Sequence, residues 1–276
     1  MLSMKKLIVI IVLITLMITF SISCTNTKKP EPAERKVSAI ESREFIIPAE
    51  GKIVFMSYLS KNSQIFVMNA DGTGQINLSN NDFDEFGFSW SPDGKKIAFT
   101  SDRLGEGQIY SINSDGTDKT NLSQSDLWDG YPSWSPDGKK IAFVSGQTEL
   151  LNGQSNIKGQ IYSINSDGTD KTNLSNNNFN DWYPSWSPDG KKIAFISYRG
   201  GKPKIFVMNA DGTGQINLSN NNFDEFGFSW SPDGKKITFT SNRNGHYQIY
   251  TMNADGTGQT NLSNNDLMNC CPSWSP

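Results

Sequence analysis

The amino-acid sequence predicts an all-β fold, a propeller of four-stranded antiparallel blades, and three observations carry this prediction. One unit is repeated five times along the 276 residues. Each copy contains short apolar runs of strand length, separated by turns that contain glycine or proline. The usual distance between copies is 44 residues, which is the size of one propeller blade.

The tetrapeptide Ser-Trp-Ser-Pro marks the five copies and sets the period. Its tryptophans are spaced by 44, 52, 44 and 44 residues, and an Asp-Gly-Thr triplet recurs with the same spacings. The 52-residue unit contains an eight-residue insertion near residues 147–158. We expect the repeated residues to be structural; they are Trp90, Trp134, Trp186, Trp230 and Trp274, with Asp71, Asp115, Asp167, Asp211 and Asp255.

One copy shows how the pattern predicts a blade. Its four strands are expected at residues 96–100, 108–112, 119–122 and 131–135. In the turn Pro92–Lys95, proline presets φ and glycine accepts positive φ, and Asp115-Gly116 is a hairpin signal. Each unit is therefore a predicted four-stranded meander. Strands such as 65–68 are apolar on both faces, which predicts blades that stack face to face.

These motifs resemble a known repeat. The string Trp-Ser-Pro-Asp-Gly-Lys-Lys-Ile-Ala-Phe, followed by Ile-Tyr-x-x-Asn-x-Asp-Gly-Thr, resembles the WD-like repeat of the TolB family over residues 48–276. The resemblance implies a β-propeller; many family members bind other proteins, and some carry an added catalytic domain. The family's translocation protein also has an N-terminal α/β domain, for which residues 25–50 are too short.

The phase of the repeats predicts how the ring closes. The motif at Ser273–Pro276 lacks the strand that usually follows it, and Pro48–Phe55 fits that gap, with Pro48 at the position of Pro92. We therefore expect five blades closed by strand exchange between the two ends of the sequence. The alternative is a truncated relative of a six-bladed propeller, and Phe45–Ile47 competes for the closing position.

The first residues predict an export signal. Lys5 and Lys6 precede an uncharged, mostly apolar run, and Cys24 follows the small residue Ser23. This order resembles a bacterial lipoprotein signal, in which the cysteine carries the lipid, although Ser21 stands where leucine is usual. An uncleaved anchor or a plain cleaved signal are the alternatives. The predicted domains are a signal peptide (1–24), a flexible tether (25–50) and the propeller (51–276).

Composition argues against several classes of function. The formal net charge is −3, which gives no electrostatic reason to bind nucleic acid. The single histidine, His246, excludes multi-histidine metal sites, and no Gly-x-Ser-x-Gly elbow is present. The Asp-Gly turns lack the further carboxylates of a calcium loop. We expect no catalytic residue, no metal and no cofactor. Cys270 and Cys271 are adjacent, so we expect free thiols or an intermolecular bridge.

The two rims of the predicted ring differ. The Pro-Asp-Gly-Lys and Asp-Gly-Thr turns lie on one rim, here called the invariant rim. The second turn of each blade and the blade-to-blade link lie on the other, here called the variable rim. Candidate binding residues there are Phe83, Asp84, Glu85, Phe86, Trp128, Asp129, Tyr131, Asp181, Trp182, Tyr183, Phe223, Asp224, Glu225, Phe226, His246 and Tyr247. Aromatic side chains beside acids suit protein hot spots or sugar stacking, but they also suit plugs at blade junctions.

The sequence thus predicts a non-catalytic scaffold, exported and held on the bacterial membrane by lipid at Cys24, that binds a protein partner. Nearly identical copies, such as residues 65–103 and 205–243, favour a repetitive binding surface over a single catalytic site. The first alternative is a surface carbohydrate-binding module. A propeller lyase or hydrolase, and a degenerate paralogue without a partner, are further alternatives.

Overall fold

The computed structural model describes residues 51–59, 61–151 and 154–275, and within them it is all β. Nineteen strands form five antiparallel sheets in chain order. This confirms the predicted fold class and the five repeated units. Within these residues no helix is long and apolar enough to cross a membrane. The predicted signal peptide, tether and Cys24 lie outside the described residues.

Each sheet follows the chain as a meander, and the five are numbered here in order. Sheet 1 contains β1 (Lys52–Leu59), β2 (Asn62–Asn69) and β3 (Ile76–Asn77). Sheet 2 contains β4 (Glu85–Trp90), β5 (Lys96–Ser101), β6 (Gln108–Asn113) and β7 (Thr120–Asn121). Sheet 3 contains β8 (Trp128–Trp134), β9 (Lys140–Leu151), β10 (Gln154–Asn165) and β11 (Thr172–Asn173). Sheet 4 contains β12 (Asp181–Trp186), β13 (Lys192–Ser197), β14 (Lys204–Asn209) and β15 (Ile216–Asn217). Sheet 5 contains β16 (Glu225–Trp230), β17 (Lys236–Ser241), β18 (Gln248–Asn253) and β19 (Thr260–Asn261).

The repeated turns form because short polar side chains bond to the nearby backbone. At the first turn of sheet 2, Asp93 accepts a hydrogen bond from the Ser91 hydroxyl at 2.7 Å, and Gly94 has a φ of 68°. In the next turn of the invariant rim, Asp115 accepts hydrogen bonds from the Thr117 amide at 2.9 Å and hydroxyl at 2.6 Å. These local bonds recur in the other sheets and explain why the motif is short and polar.

The core consists of the junctions between successive sheets. At the junction of sheets 4 and 5, Ile205 and Leu218 pack against Phe239 and Met252, and all four are buried. Three further clusters repeat this arrangement along the chain. The first strands of sheets 2, 3 and 4 contact one another in turn, so they are the inner strands of the arrangement. The start of each inner strand lies at the variable rim.

Sheet 3 differs from the others because β9 and β10 extend as a two-stranded ribbon. They pair continuously from Lys140 and Asn165 to Leu151 and Gln154, twelve residue pairs in all. The eight-residue insertion therefore lengthens one hairpin at the variable rim. It leaves the rest of the repeat unchanged, as the spacing of 52 residues had indicated.

The described residues do not show the predicted ring closure by strand exchange, and Pro48 and Pro276 of that prediction lie outside them. Sheet 1 has three strands, and residues 273–275 form no strand against β1. Both end faces are open: Ile53 is 42% exposed where Ile97 and Ile237 are fully buried, and Leu262 is 55% exposed where Leu218 is 3% exposed. The repeats dictate contacts between neighbouring sheets, whereas closure needs the first and last sheets to meet in register, which no local pattern imposes.

Candidate functional site

Four acidic residues of the predicted binding rim lie inside the fold. Glu85, Asp129, Asp181 and Glu225 begin or nearly begin the inner strands, and each is fully buried. These four side chains of the predicted binding rim therefore have no surface open to a partner. A carboxylate in a low-dielectric interior needs a charged or hydrogen-bonding partner, and each of the four has both.

An arginine of the same sheet neutralises three of these carboxylates. Arg103 lies 2.9 Å from Glu85, Arg199 lies 3.3 Å from Asp181, and Arg243 pairs with Glu225. Sheet 3 has no arginine at this position because the ribbon replaces it, and there Lys171 lies 3.0 Å from Asp129. Each cation also lies over an aromatic ring of its sheet; Arg103, for example, is 4.4 Å from the ring centre of Tyr110.

The same carboxylates fix the links between sheets. Glu85 accepts a hydrogen bond from the Asn81 amide at 2.6 Å, and Asp129 accepts one from the Ser125 hydroxyl at 2.7 Å. Asn177 and Asn221 donate equivalent bonds to the carboxylates of sheets 4 and 5. The buried acids therefore hold the link residues that precede them, and the shape of the variable rim depends on them.

One position in each link presents an apolar side chain to solvent. Phe83, Phe179, Phe223 and Leu267 are exposed, and the equivalent Leu127 is half-buried. The backbone of Phe83 is held on both sides: its amide donates to Asn81 at 2.8 Å, and its carbonyl accepts from Gln64 at 2.8 Å. Equivalent bonds hold Phe179 (to Asn177 and Gln160), Leu127 (to Ser125 and Gln108) and Phe223 (to Asn221 and Lys204).

The sequence prediction included two of these five residues and missed Phe179, Leu127 and Leu267. The repeat spacing would have identified these three residues, because all five positions are 44 residues apart, or 52 across the insertion. The position holds phenylalanine in three links and leucine in two, so a search for aromatic residues alone overlooks the regularity.

An aromatic cluster joins the inner strands of sheets 2, 3 and 4. Trp128 lies between Phe86 and Trp182, with ring centres 6.4 and 5.6 Å away, and the rings of Tyr131 and Tyr183 are tilted by 53° with centres 4.6 Å apart. Phe86 and Trp128 are buried and fill the junctions between sheets. This agrees with the alternative interpretation of the rim aromatics, in which they are plugs at blade junctions. Tyr183 is partly exposed at the edge of the cluster.

The two tyrosines have an unusual backbone conformation. Tyr131 and Tyr183 each have a φ of 56°, and the equivalent residues of sheets 2 and 5 are glycines with the same sign of φ. A bulky residue in this region is strained, and such strain concentrates at functional sites. Burial raises the pKa of Tyr131 well above its ordinary value and also raises that of Tyr183.

The remaining predicted rim residues are more dispersed. Asp84 is half-buried and accepts a hydrogen bond from the Ser63 amide at 2.9 Å. Asp224 lies 3.9 Å from Lys202. Phe226 packs edge-on against Tyr247 at 5.1 Å, and His246 is exposed in the second turn of sheet 5.

The invariant rim holds the repeated aspartates in turns. Asp71, Asp115, Asp167, Asp211 and Asp255 each accept bonds from the threonine two residues later, which lower their pKa. Among the described residues, no three histidine, cysteine or acidic side chains are grouped to hold a metal. A cavity of about 700 Å³ between sheets 3 and 4 is lined by Asp137, Ser163 and Trp186, among others.

The repeat tryptophans lie at the sheet junctions. Trp134, Trp186 and Trp230 are buried, while Trp90 and Trp274, nearer the ends of the arrangement, are half-buried. Cys270 and Cys271 are exposed free thiols, and partial desolvation of the Cys271 sulfur, together with the adjacent Cys270 thiol, raises the pKa of Cys271 to about 12.

Comparison with known proteins now identifies the family. The model described as the TolB beta propeller domain matches residues 44–158 and 206–276. The chain belongs to the TolB β-propeller family. Among curated proteins, none matches this sequence. The family match begins at residue 44, inside the segment predicted to be a tether.

Solved structures share the TolB-like fold at low sequence identity. TolB from Acinetobacter baumannii has a TM-score of 0.64 at 24% identity, covering 78% of this chain and 53% of that one. An oligogalacturonate lyase from Vibrio parahaemolyticus has a TM-score of 0.62 at 13% identity, covering 76% and 61%. A nidogen/laminin complex has a TM-score of 0.59 at 15% identity, covering 77% and 78%.

These matches limit what the TolB-like fold implies. The chain spans about half the length of the Acinetobacter baumannii protein. The three matched structures are a TolB protein, an enzyme and a complex of two proteins, so this fold serves both catalysis and protein association. The function must therefore be inferred from the surface of this chain.

Proposed function

We propose that this chain is an exported, lipid-anchored propeller scaffold that binds a protein partner through its variable rim. The observation that carries the proposal is the apolar residue presented at one repeat position of every link, with its backbone bonded to polar side chains. A link whose backbone is held in place before binding loses little conformational entropy when a partner covers it. Apolar contacts repeated around one rim suit a broad partner surface.

The charges of the rim indicate the chemistry of that partner. An exposed aspartate directly precedes the apolar residue in three links, at Asp82, Asp126 and Asp266. The arginines Arg103 and Arg243 are committed to buried carboxylates. The partner should therefore present apolar side chains interspersed with lysine or arginine, since opposite charges at the edge speed association and select the partner.

Export and lipid attachment are proposed from the sequence. The basic head, the apolar run and Cys24 suit a lipoprotein signal, and the proposed site for the partner then lies outside the cytoplasm. Replacing Cys24 by alanine should release the protein from membranes. Continued membrane retention with an unprocessed signal would favour an anchor helix instead.

Carbohydrate binding is the second candidate, and one observation favours it. Tyr183 is partly exposed, with its ring centre 4.6 Å from that of Tyr131 and 6.3 Å from that of Trp182, and Tyr198 is partly exposed as well. Aromatic faces with hydroxyl edges suit sugar rings. Binding on a glycan array that is lost in Tyr183→Ala, without capture of any protein, would replace the proposed function by this one.

Site-specific photocrosslinking in intact cells tests the protein-binding proposal. A photoreactive residue at Phe223 should link to one dominant protein, and the same residue at Ile216 should not. Ile216 is the matched control because it is an exposed apolar residue of the neighbouring outer strand. The double variant Phe83→Ser/Phe223→Ser should weaken binding of that protein at least about tenfold, since the loss of one hot-spot residue costs about 2 kcal/mol or more. Equal crosslinking from both positions would contradict the proposal.

A further inference from the structure

Three sulfur-containing residues follow sheet 5 at the variable rim. Met268, Cys270 and Cys271 lie within four positions of one another, and all three are exposed. They include both cysteines of the described residues and the one methionine there that is exposed. The other methionines of the described residues are buried or half-buried; they are Met56, Met68, Met208 and Met252. Exposed sulfur is therefore concentrated at one place, and the proposed function does not use it.

Hydrogen bonds hold this segment in the conformation of an inner strand. The Asn269 amide donates to the Tyr247 carbonyl at 2.7 Å. The Cys271 amide donates to the Thr240 hydroxyl at 3.2 Å. The equivalent residues of sheet 3 make the same two bonds to sheet 2, at 2.7 and 3.1 Å. Cys271 has a φ of 59°, and the equivalent Tyr131 has a φ of 56°. The segment therefore has the backbone of the first residues of β8.

In β8 the side chains at the three equivalent positions converge. A Cβ atom added to Gly130 would clash with the Trp128 ring, so the side chain at position 128 lies directly over position 130. The ring centres of Trp128 and Tyr131 are 5.8 Å apart. The pairing shifts register between Gly130 and Ser133, and a bulge of this kind re-aims the side chains around it. In the segment after sheet 5, these three converging positions carry sulfur.

The two thiols are also in contact with each other. A hydrogen bond joins the Cys270 and Cys271 thiols, and neither cysteine is in a disulfide. Adjacent cysteines meet disulfide geometry only with distortion. The Cys271 backbone packs against the inner strand of sheet 5, where a Cβ atom added to Gly227 would lie 3.7 Å from the Cys271 Cα. The pair is thus two neighbouring soft donors on a fixed backbone.

We propose that Met268, Cys270 and Cys271 form a binding site for a soft metal ion, Cu(I). Thiolate and thioether sulfur are the ligands that select Cu(I). Structural zinc sites take four ligands from cysteine, histidine and carboxylates, and among the described residues no third side chain of these types joins the two cysteines. Binding replaces the thiol protons, which pass to water. The sequence excluded multi-histidine sites and calcium loops, and an all-sulfur site is neither.

Competition for Cu(I) tests the site in the full-length chain. Cys24→Ser is the reference protein, because it leaves Cys270 and Cys271 as the only cysteines. Against a chromogenic Cu(I) chelator without oxygen, it should bind one ion per chain and show the ultraviolet absorption of copper–thiolate bonds. Cys270→Ser and Cys271→Ser should each lower the affinity about a hundredfold, and Met268→Leu about tenfold, since even the loss of a group that orients a ligand costs 10- to 100-fold.

Met68→Leu is the matched control for Met268→Leu. Met68 lies near the end of β2 that enters the invariant rim, away from the two cysteines, so its replacement should leave the affinity for Cu(I) unchanged. Circular dichroism should be the same for the reference protein and the three ligand variants, because the replaced side chains are exposed.

Four results would each overturn the metal site. They are failure of the reference protein to compete for Cu(I), undiminished binding in Cys270→Ser/Cys271→Ser, equal losses in Met68→Leu and Met268→Leu, and a disulfide between the two cysteines in protein purified without oxygen. None of them bears on the partner proposed above, because none of the three ligands is an apolar link residue.

Discussion

At the scale of single residues, the buried ion pairs are the contacts on which both fold and rim depend. Arg243→Met should lower the free energy of unfolding by about 3 kcal/mol or more, because it leaves the carboxylate of Glu225 buried without its cation. Denaturation in urea measures the loss. The double variant Arg243→Met/Glu225→Gln should recover part of it, since it removes the uncompensated charge as well.

An exposed pair of the same type is the control. Lys95 and Asp93 are 4.0 Å apart and mostly exposed, so Lys95→Met should change the unfolding free energy by less than about 0.5 kcal/mol. Equal losses in Arg243→Met and Lys95→Met would mean that burial of the carboxylate is not the cause.

Tyr183 gives the second test at residue scale. Its φ of 56° costs a side chain with a Cβ about 1 kcal/mol, and glycine holds the equivalent positions Gly87 and Gly227. Tyr183→Gly should therefore unfold at a higher urea concentration than Tyr183→Ala, although both lose the same ring contacts. A more stable alanine variant would show that the backbone at this position is not strained.

At the scale of elements, the repeated turns predict the acid sensitivity of the fold. Hydrogen bonds from threonine lower the pKa of the Asp-Gly-Thr aspartates below the ordinary value of 3.8. Because the folded pKa is the lower one, this stabilisation is fully present above about pH 4 and is lost as the pH falls through the folded pKa. The urea midpoint should therefore not change through these groups between pH 7 and 5, and should decline below pH 4.

A variant with asparagine at all five aspartates separates this effect from other acid effects. Asparagine keeps the oxygen that accepts the threonine bonds but does not titrate. The decline below pH 4 should be shallower in this variant than in the wild type. An identical decline would assign the acid sensitivity to other carboxylates.

The strands were predictable from the sequence where side-chain alternation and turn residues alone determine their bounds. The strands expected at 96–100 and 108–112 are β5 (Lys96–Ser101) and β6 (Gln108–Asn113), because alternation and turn chemistry act within a few residues. The strand expected at 131–135 instead begins at Trp128, ahead of a bulge at Tyr131. Periodicity does not reveal a bulge, since one extra residue reverses which side chains face inward.

The candidate site was less predictable, for a physical reason. An acidic residue beside an aromatic residue on a link predicts a binding surface. Asp129 and Glu225 instead point into the fold, toward Lys171 and Arg243. The partner residues lie 42 and 18 positions away along the chain. Long-range pairing of this kind leaves no local pattern, whereas the exposed residue at Phe179 follows the repeat spacing.

At the scale of the whole molecule, stability is distributed over the sheet junctions. Each sheet packs mainly against its neighbours, so the free energy is close to a sum of terms for sheets and junctions. Sheets 2, 3 and 4 each have a neighbour on both faces, while sheets 1 and 5 each show an open face. The end sheets should therefore open first.

The same phenylalanine position in two sheets tests this gradient. Phe195 is fully buried between sheets 3 and 4, whereas its equivalent Phe55 is only half-buried on the open face of sheet 1. Phe195→Ala should lower the global unfolding free energy by about 3–5 kcal/mol, because it leaves a cavity in a closed junction. Phe55→Ala should cost clearly less. Native-state hydrogen exchange should show faster exchange in β1 and β2 alone for Phe55→Ala, but across β8–β15 for Phe195→Ala. Uniformly faster exchange in both variants would mean that the five sheets unfold as one unit and that the open faces impose no order.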